Sequence, residues 1–338
     1  MNTGMRYFTY HFKKTIIRLI VLMVFVSLFA FYSTVERVIR ADESYVEFAF
    51  LTIIIGGISY LLAALELSPF KNRRNLDLWL SSPLSRTQLV LTNVINGAIH
   101  LTVTTLFAGI IVMIRMTLLN TVGASFNPAH GLLYSLIILP PAMLIYVIAC
   151  AIFVIGNSNA DGALFLGLQS LFVLWCNDAF ENLIYVFAPN ARFPRLGDMS
   201  WFAMISGFSN LASQISSGNT HRYEYVSLNH LKLTVATVFW TVIAIIAVVF
   251  IIRYFNRLKP EKVGGVSDCF WGFRFLLPAC GYSLLLLAGD AVIIVPLLIL
   301  IGMFLMYVFF RKSFKIKLPD IICLGVGVLL MIIMQILG

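Results

Sequence analysis

Long apolar segments recur along the whole chain, and they constrain its fold more than any other feature. The chain has 338 residues, of which 60% are hydrophobic and 12% are charged, whereas soluble domains carry roughly 25% charged residues. A helix of roughly 20 residues crosses the hydrocarbon core, and a helix satisfies its own backbone hydrogen bonds where lipid cannot. The sequence therefore predicts an all-α, polytopic membrane bundle of about nine spans, at residues 15–35, 48–65, 85–118, 131–155, 163–176, 231–252, 275–288, 291–310 and 321–337.

The predicted spans divide into a core and a C-terminal extension. Residues 1–255 form a six-span core with a cytoplasmic loop at 66–89 and a semi-apolar outer segment at 178–230, and residues 256–338 add about three spans. Before span 1, the segment MRYFTYHFKK mixes aromatic with basic residues. That mixture is typical of an amphipathic helix in the headgroup layer, so we expect an amino-terminal interfacial helix at residues 5–14.

Basic residues predict the orientation of the spans. The net charge is +9, which in a soluble protein would indicate a nucleic-acid partner. Here lysine and arginine flank the spans in four groups: before span 1, in the loop before span 3, after span 6 and after span 8. The positive-inside rule assigns these groups to the cytoplasm, where they contact anionic lipid. We therefore expect a multi-pass protein of a bacterial plasma membrane, with its amino terminus inside, its carboxyl terminus outside and no nucleic-acid partner.

The loop at 66–89 combines an apolar cluster with a new helix start. The cluster predicts a short surface helix within a basic segment and consists of Leu76, Leu78, Trp79 and Leu80. Pro83 ends that helix, and Ser85 with Gln88 forms an S-x-x-Q capping box. The helix that follows can reach residue 118, which makes it longer than the membrane is thick.

The sequence contains no motif for catalysis or nucleotide binding. It has no phosphate-binding loop and no GxGxxG, and no HExxH or GxSxG. The five cysteines lie in or near apolar runs and show no CxxC spacing. We therefore expect them to be buried apolar residues. Asp178 and Glu181 are expected to face water or a basic neighbour, and His221, Glu224 and His230 are too loosely spaced for a metal site. We therefore predict no catalytic residue, no metal and no cofactor bound by this chain, which is not expected to be an enzyme.

Polar residues inside the spans are candidates for function because lipid makes their burial costly. Asn93, Asn96 and His100 lie on one face of span 3 at i, i+3 and i+7, and Gln169 lies in the middle of span 5. Small polar residues also form hydrogen bonds between membrane helices. These four residues are therefore interpreted either as interhelical contacts or as part of a substrate path.

The order of these features resembles the permease subunits of type-2 ABC exporters. The resemblance covers residues 5–255. Its most specific part is FKNRRNLDLWLSSPLSRTQL entering a long third helix. An amino-terminal amphipathic segment, a tight inner turn between spans 4 and 5 and a semi-apolar segment before span 6 also match. Spans 7 to 9 exceed the six-span minimum of that family.

The resemblance implies that the short helix in the loop is a coupling helix. It would dock on a separate cytoplasmic ABC ATPase, a dimer that binds ATP and Mg²⁺, and a second permease copy or paralogue would complete the complex. The implied docking residues are Arg73, Arg74, Leu76, Asp77, Leu78, Trp79 and Leu80. Arg73 and Arg74 pair either with acidic groups of the ATPase or with lipid headgroups, which Lys71 is also expected to face. The turn between spans 4 and 5 supplies a possible second inner contact, with Asn157, Asn159 and Asp161.

The function implied is ATP-driven export of an amphiphilic substrate, namely a peptide, an antibiotic or a lipid-like molecule, across the plasma membrane. Two other interpretations remain open. The loop helix could lie at the membrane surface without a partner, in a scaffold or sensor subunit that transports nothing. The chain could also be a membrane enzyme with an unrecognised site.

Overall fold

The structure of the chain, a computed structural model, is helical. It describes residues 3–33, 48–72, 84–121, 127–187, 201–217, 230–257, 263–288 without 266 and 268, and 294–337 without 312 and 316. These residues contain no β-strand, which confirms the predicted all-α fold. Their α-helices are α1 (Thr3–Ser33), α2 (Ala49–Leu67), α3 (Arg86–Asn120), α4 (Ala129–Ile155), α5 (Asn159–Phe187), α6 (Trp201–Ser217), α7 (His230–Asn256), α8 (Leu277–Leu287), α9 (Ile294–Arg311) and α10 (Leu318–Leu337).

Six stretches of helix in the described part of the chain are long and apolar enough to cross a membrane. They lie in α1, α2, α3, α4 and α7, and in the helical segment Phe270–Leu287, which includes α8 and is kinked at Gly272. The apolar parts of α9 and α10 are shorter. The chain is therefore a multi-pass helical membrane protein, while the number of nine crossings and the side on which each terminus lies stay predictions.

The start of α3 agrees with the sequence, whereas α1 differs from it in one respect. Ser85 Oγ accepts from the backbone N–H of Gln88 at 3.2 Å, and Gln88 Oε1 accepts from the N–H of Ser85 at 3.1 Å, so the capping box is confirmed. From there α3 runs for 35 residues, or about 50 Å. The segment 5–14 is helical, but it continues into span 1 as one helix. Its interfacial position stays a prediction.

The predicted semi-apolar outer segment contains helix on both sides of an undescribed stretch. Helix α5 has 29 residues and continues to Phe187, past the predicted end of span 5 at residue 176. Helix α6 then covers the 17 residues WFAMISGFSNLASQISS. This segment is therefore helical at 178–187 and 201–217, as its apolar periodicity indicates.

The helices belong to two compact units that interleave along the sequence. The first unit contains α1, α2, α3, most of α4, α6 and α7. The second contains Lys71, the last residues of α4, α5, and α8 to α10. In the second unit α8 contacts both neighbours closely, since Cys280 Sγ lies 3.5 Å from the Leu168 carbonyl of α5 and the Tyr282 hydroxyl donates to the Cys323 carbonyl of α10 at 2.8 Å.

In the first unit, α1 and α3 run parallel to each other and α2 runs antiparallel to both. The start of α1 meets the start of α3, where the Tyr7 hydroxyl donates to Asn93 Oδ1 at 3.3 Å. The far ends of the same two helices also meet, with the Arg115 guanidinium 4.6 Å from the centre of the Phe31 ring. Helix α2 runs the other way, so that its end lies near the start of α1.

Glycines allow α3 and α4 to approach closely in the first unit. A Cβ added to Gly109 would lie 2.6 Å from Ser135 Oγ and 2.7 Å from the Gly131 carbonyl oxygen. Membrane helices associate through van der Waals packing rather than through a hydrophobic driving force, and small residues bring their backbones together. The contact between α3 and α4 therefore depends on the missing side chain at residue 109.

Replacing Gly109 with alanine is expected to destabilise the first unit, because α3 and α4 must separate to admit the methyl group. Overpacking of this kind costs about 1–3 kcal/mol, and the measurement is the midpoint of thermal unfolding in detergent. Gly57→Ala in α2 is the matched control, since nothing lies within 4 Å of its added Cβ and alanine favours a helix. Equal losses for the two variants would contradict the close approach.

Candidate functional site

A glutamate at the end of α2 is buried inside the first unit. Glu66 is 1% exposed and its side chain meets residues of α1 and α3. Transferring an ionised carboxylate out of water is very costly unless it is paired and hydrogen-bonded. Charged residues within membrane segments are rare for this reason and usually mark a functional site. The surroundings of Glu66 therefore define the candidate site.

Three side chains donate hydrogen bonds to the Glu66 carboxylate. Arg18 of α1 forms an ion pair through Nη2 with Oε1, and Asn96 Nδ2 of α3 donates to the same oxygen at 2.8 Å. His11 Nε2 of α1 lies 3.0 Å from Oε2. Because an ionised carboxylate only accepts, Nε2 of His11 carries the ring proton. Each carboxylate oxygen is thus satisfied by a donor from another helix.

His100 completes the cluster from α3. Its Nδ1 lies 3.4 Å from Arg18 Nη2, and a guanidinium only donates, so Nδ1 is the acceptor and the proton belongs to Nε2. Nε2 in turn lies 3.4 Å from Thr15 Oγ1. The distance from His100 Nδ1 to Glu66 Oε1 is 3.9 Å, which is too long for a hydrogen bond. His100 therefore contacts the ion pair through arginine.

An outer layer of hydrogen bonds fixes the backbone around this cluster. Asn93 Nδ2 donates to the Glu66 carbonyl at 3.2 Å, which joins the end of α2 to α3. The Tyr146 hydroxyl of α4 donates to the Val94 carbonyl at 2.9 Å. A Cβ added to Gly97 would meet that hydroxyl and would lie 2.8 Å from Glu66 Cγ. Four helices thus hold the carboxylate in place.

We call the group Glu66, Arg18, His11, His100 and Asn96 the Glu66 cluster. Its charges balance when both imidazoles are neutral, because one carboxylate faces one guanidinium. The side chains of Glu66 and His100 are fully buried, while that of Arg18 is 22% exposed. Chemically, the cluster can fix three helices through one buried ion pair and its hydrogen bonds. No group of three or more His, Cys, Asp or Glu side chains in the described part of the chain is arranged to hold a metal ion.

The structure brings together three of the four predicted polar residues. Asn93, Asn96 and His100 are buried around Glu66 in the first unit, whereas Gln169 is buried on α5 in the second. Asn93 and Asn96 form interhelical hydrogen bonds with Glu66, whereas His100 contacts Arg18. Whether the same residues also line a substrate path stays a prediction.

Sequence reasoning missed the charged members of the cluster. Glu66 lies in the predicted cytoplasmic loop, His11 in the predicted interfacial segment, and Arg18 near the start of predicted span 1. A signal was present, because Glu66 directly continues the apolar run of span 2 and Arg18 interrupts that of span 1. An acid and a base at matching depths in successive antiparallel spans are candidates for pairing.

A second polar site surrounds the end of α4 in the second unit. Lys71 is buried, and its ammonium donates to the Val154 carbonyl at 2.7 Å and to the Gly156 carbonyl. The interpretation of Lys71 as a headgroup contact is therefore wrong. A cation is favourable here because the last carbonyls of a helix carry partial negative charge.

The predicted second inner contact lies in the turn that follows. The Asn157 carbonyl accepts from the N–H of Gly264 at 2.8 Å, and Gly264 has a φ of 81° that favours glycine. Asn157 is buried, whereas Asn159 is exposed. Burial raises the pKa of the half-buried Asp161 carboxyl, while hydrogen bonds from Ser158 and Asn157 and the charge of Lys71 oppose that shift.

The predicted coupling residues lie outside the described part of the chain. They are Arg73, Arg74, Leu76, Asp77, Leu78, Trp79 and Leu80, and residues 73–83 as a whole are not described. The same holds for His221 and Glu224, and for the side chains of His230, Asp178 and Glu181. The docking role of the loop therefore stays a prediction.

Removing the carboxylate of Glu66 is expected to destabilise the protein strongly. In Glu66→Leu the guanidinium of Arg18 loses its counter-charge, and breaking a buried ion pair in this way costs about 3–5 kcal/mol. The midpoint of thermal unfolding in detergent measures the loss. The double variant Glu66→Leu with Arg18→Met should recover much of it, since an apolar pair removes both charges.

Lys13→Met is the matched control for this experiment, because Lys13 is an exposed base on the same helix. Its effect should stay within about 0.5 kcal/mol. A double variant no more stable than Glu66→Leu would contradict the assignment of the loss to the unpaired guanidinium.

No protein-family model, curated protein or solved structure matches this chain. The resemblance to type-2 ABC exporter permeases therefore rests on the order of sequence features alone.

Proposed function

We propose that this chain is the permease subunit of an ATP-driven exporter, and that residues 73–83 couple it to a separate cytoplasmic ABC ATPase. The observation that carries the proposal is the anchoring of the chain on both sides of this loop. The residues that precede and follow it contact the same end of α7. If a partner is to move the helices by moving this loop, the loop must be attached firmly to those helices at both of its ends.

The chain that enters the loop is held at two levels. Glu66 binds α1 and α3 through the Glu66 cluster. Four residues later, the ring of Phe70 packs on that of Phe255 at the end of α7, with 5.1 Å between the ring centres. Phe70 is 3% exposed and Phe255 is 4% exposed. Displacement of the chain at residue 70 would therefore pull on α2 and α7 together.

The chain that leaves the loop is held at the same end. The capping box at Ser85 fixes the first turn of α3, and the Thr87 hydroxyl donates to Asn256 Oδ1 at 3.0 Å. Phe255 and Asn256 are adjacent, so α7 contacts both flanks of the loop. Through α3, the contact continues to Asn93, Asn96 and the Glu66 cluster. Movement of the loop would thus reach α1, α2, α3 and α7.

The remaining parts of the proposal follow from the exporter resemblance. The energy comes from ATP and Mg²⁺ bound by the ATPase dimer, since this chain has no nucleotide motif. A second permease copy or paralogue forms the other half of the complex, and rigid-body movement between the halves carries an amphiphilic substrate outward. The start of α1, the end of α2, the start of α3 and the end of α7 lie near the loop, and each is flanked by lysine or arginine. By the positive-inside rule, these basic residues support a cytoplasmic position for the loop.

Purification of the chain from its host should yield a bound ABC ATPase, identified by mass spectrometry. Leu78→Asp or Trp79→Ala is expected to remove that partner or to uncouple its ATP hydrolysis, since buried aromatic and aliphatic anchors dominate docking energies. Phe314→Ala is the matched control, because Phe314 is an 80% exposed aromatic residue in another predicted inner loop. If no ATPase copurifies, or if Leu78→Asp and Trp79→Ala retain both the partner and coupled ATP hydrolysis as Phe314→Ala does, the proposal fails.

The predicted topology can be tested with introduced cysteines in a background whose native cysteines are replaced by alanine. Asn75→Cys should react with a membrane-impermeant maleimide only when the cytoplasmic side is accessible. Asn127→Cys, at an exposed position before α4, should react only from the outside. The readout is labelling in intact cells compared with inverted vesicles, and the reverse pattern would contradict the proposed orientation.

A further inference from the structure

The polar side of α3 continues beyond the Glu66 cluster into the first unit. Asn96, His100 and Thr104 follow one another at intervals of four residues, so they lie within a sector of about 80° on the helix. Their exposures are 0%, 0% and 1%. A polar stripe of this kind is commonly satisfied by neighbouring helices. Here two side-chain oxygens of the stripe have no hydrogen-bond partner among the described residues.

Asn96 has a satisfied amide nitrogen and an unsatisfied oxygen. Its Nδ2 donates to Glu66 Oε1 at 2.8 Å and to Thr15 Oγ1 at 3.2 Å. Its Oδ1 is buried, and no residue in the described part of the chain donates to it. Exchanging the two amide atoms would not help, because Oδ1 would then face the carboxylate oxygen of Glu66.

Thr104 lies two turns further along α3 and also has an unsatisfied side-chain oxygen. Its Oγ1 is buried and has no hydrogen-bond partner among the described residues. A helical threonine ordinarily bonds to the carbonyl four residues earlier, as Thr102 does to Ala98 at 2.8 Å on the same helix. The hydroxyl of Thr104 therefore points away from the backbone bond that its neighbour uses.

We propose that internal water molecules bind along this face of α3, at Asn96 Oδ1 and at Thr104 Oγ1. Buried polar atoms are nearly always paired with protein or with ordered water, and internal waters bridge polar groups that lack other partners. Water fits better than a cation, because Asn96 lies beside the positive Arg18 and offers a neutral oxygen. The inference rests on the Glu66 cluster and is independent of any transport function.

Bound water at these positions has a chemical consequence for the cluster. Glu66 and His100 are fully buried, so protein contacts alone isolate them from solvent. A water at Asn96 Oδ1 would lie beside the carboxylate that Asn96 also binds, and a water at Thr104 would lie one turn beyond His100. Water at these positions would give the buried cluster hydrogen-bond partners that the described residues do not supply.

The hydroxyl of Thr104 provides the first test, because valine has the same shape and no hydroxyl. If Thr104 binds water, Thr104→Val loses that bond and lowers the midpoint of thermal unfolding by about 2–4 °C. If the site is dry, the substitution removes an unsatisfied polar atom and leaves the midpoint unchanged or raises it. Thr102→Val is the matched control and should lose stability through its known bond to Ala98.

Radiolytic labelling in ¹⁸O-water provides a second, independent test with the wild-type protein. Tyr146 and Tyr134 are both buried, at 0% and 1% exposure. The hydroxyl of Tyr146 lies beside Gly97 and Glu66, whereas that of Tyr134 lies 2.9 Å from Thr52 Oγ1 in a stacked pair with Phe48.

Water near Asn96 should make Tyr146 incorporate ¹⁸O faster than Tyr134. Equal or slower incorporation at Tyr146 overturns the proposal, and so does a Thr104→Val variant that is as stable as wild type or more so. The proposal stands only if both measurements agree with it. Neither result depends on whether an ATPase copurifies with the chain.

Discussion

The ion pair between Arg18 and Glu66 is the interaction on which the rest of the first unit depends. A buried carboxylate is tolerated only when charge and hydrogen bonds compensate for its lost hydration. Here the compensation comes from two other helices, since Arg18 and His11 belong to α1 and Asn96 belongs to α3. Any displacement of α1 or α3 would expose the charge without its partners. The cluster therefore fixes the relative positions of three helices more strictly than apolar packing could.

The Glu66 cluster lies close to the ends of the helices that flank residues 73–83. Glu66 lies near the end of α2, four residues before Phe70, whose ring packs on Phe255 of α7. The start of α3 also contacts α7, through Thr87 and Asn256. The helix ends on both sides of residues 73–83 are thus joined to one another before the loop begins. This arrangement is what the proposed coupling role requires, because a partner that moves the loop would move several helices as a group.

In the second unit, a buried lysine caps the end of α4. Lys71 places its ammonium on the carbonyls of Val154 and Gly156, where a helix carries partial negative charge. Ser267 donates to the Ile155 carbonyl at 2.8 Å, and Gly264 donates to that of Asn157. The turn after α4 is therefore held by three donors. A charged residue that the sequence suggested as a lipid contact is instead a structural cap of the helix end.

The sequence by itself determined the helical membrane fold, the start of α3 and the polar face of Asn93, Asn96 and His100. These features are local, because apolar runs, an i to i+3 cap and helical periodicity all lie within one segment. Only the tertiary structure decided that His11, Arg18 and Glu66 meet that face. Glu66 is separated from Arg18 by 48 residues and from His11 by 55, so their pairing depends on how antiparallel helices align in depth. No local pattern encodes that alignment, which arises from close packing and from the cost of leaving a buried charge unpaired.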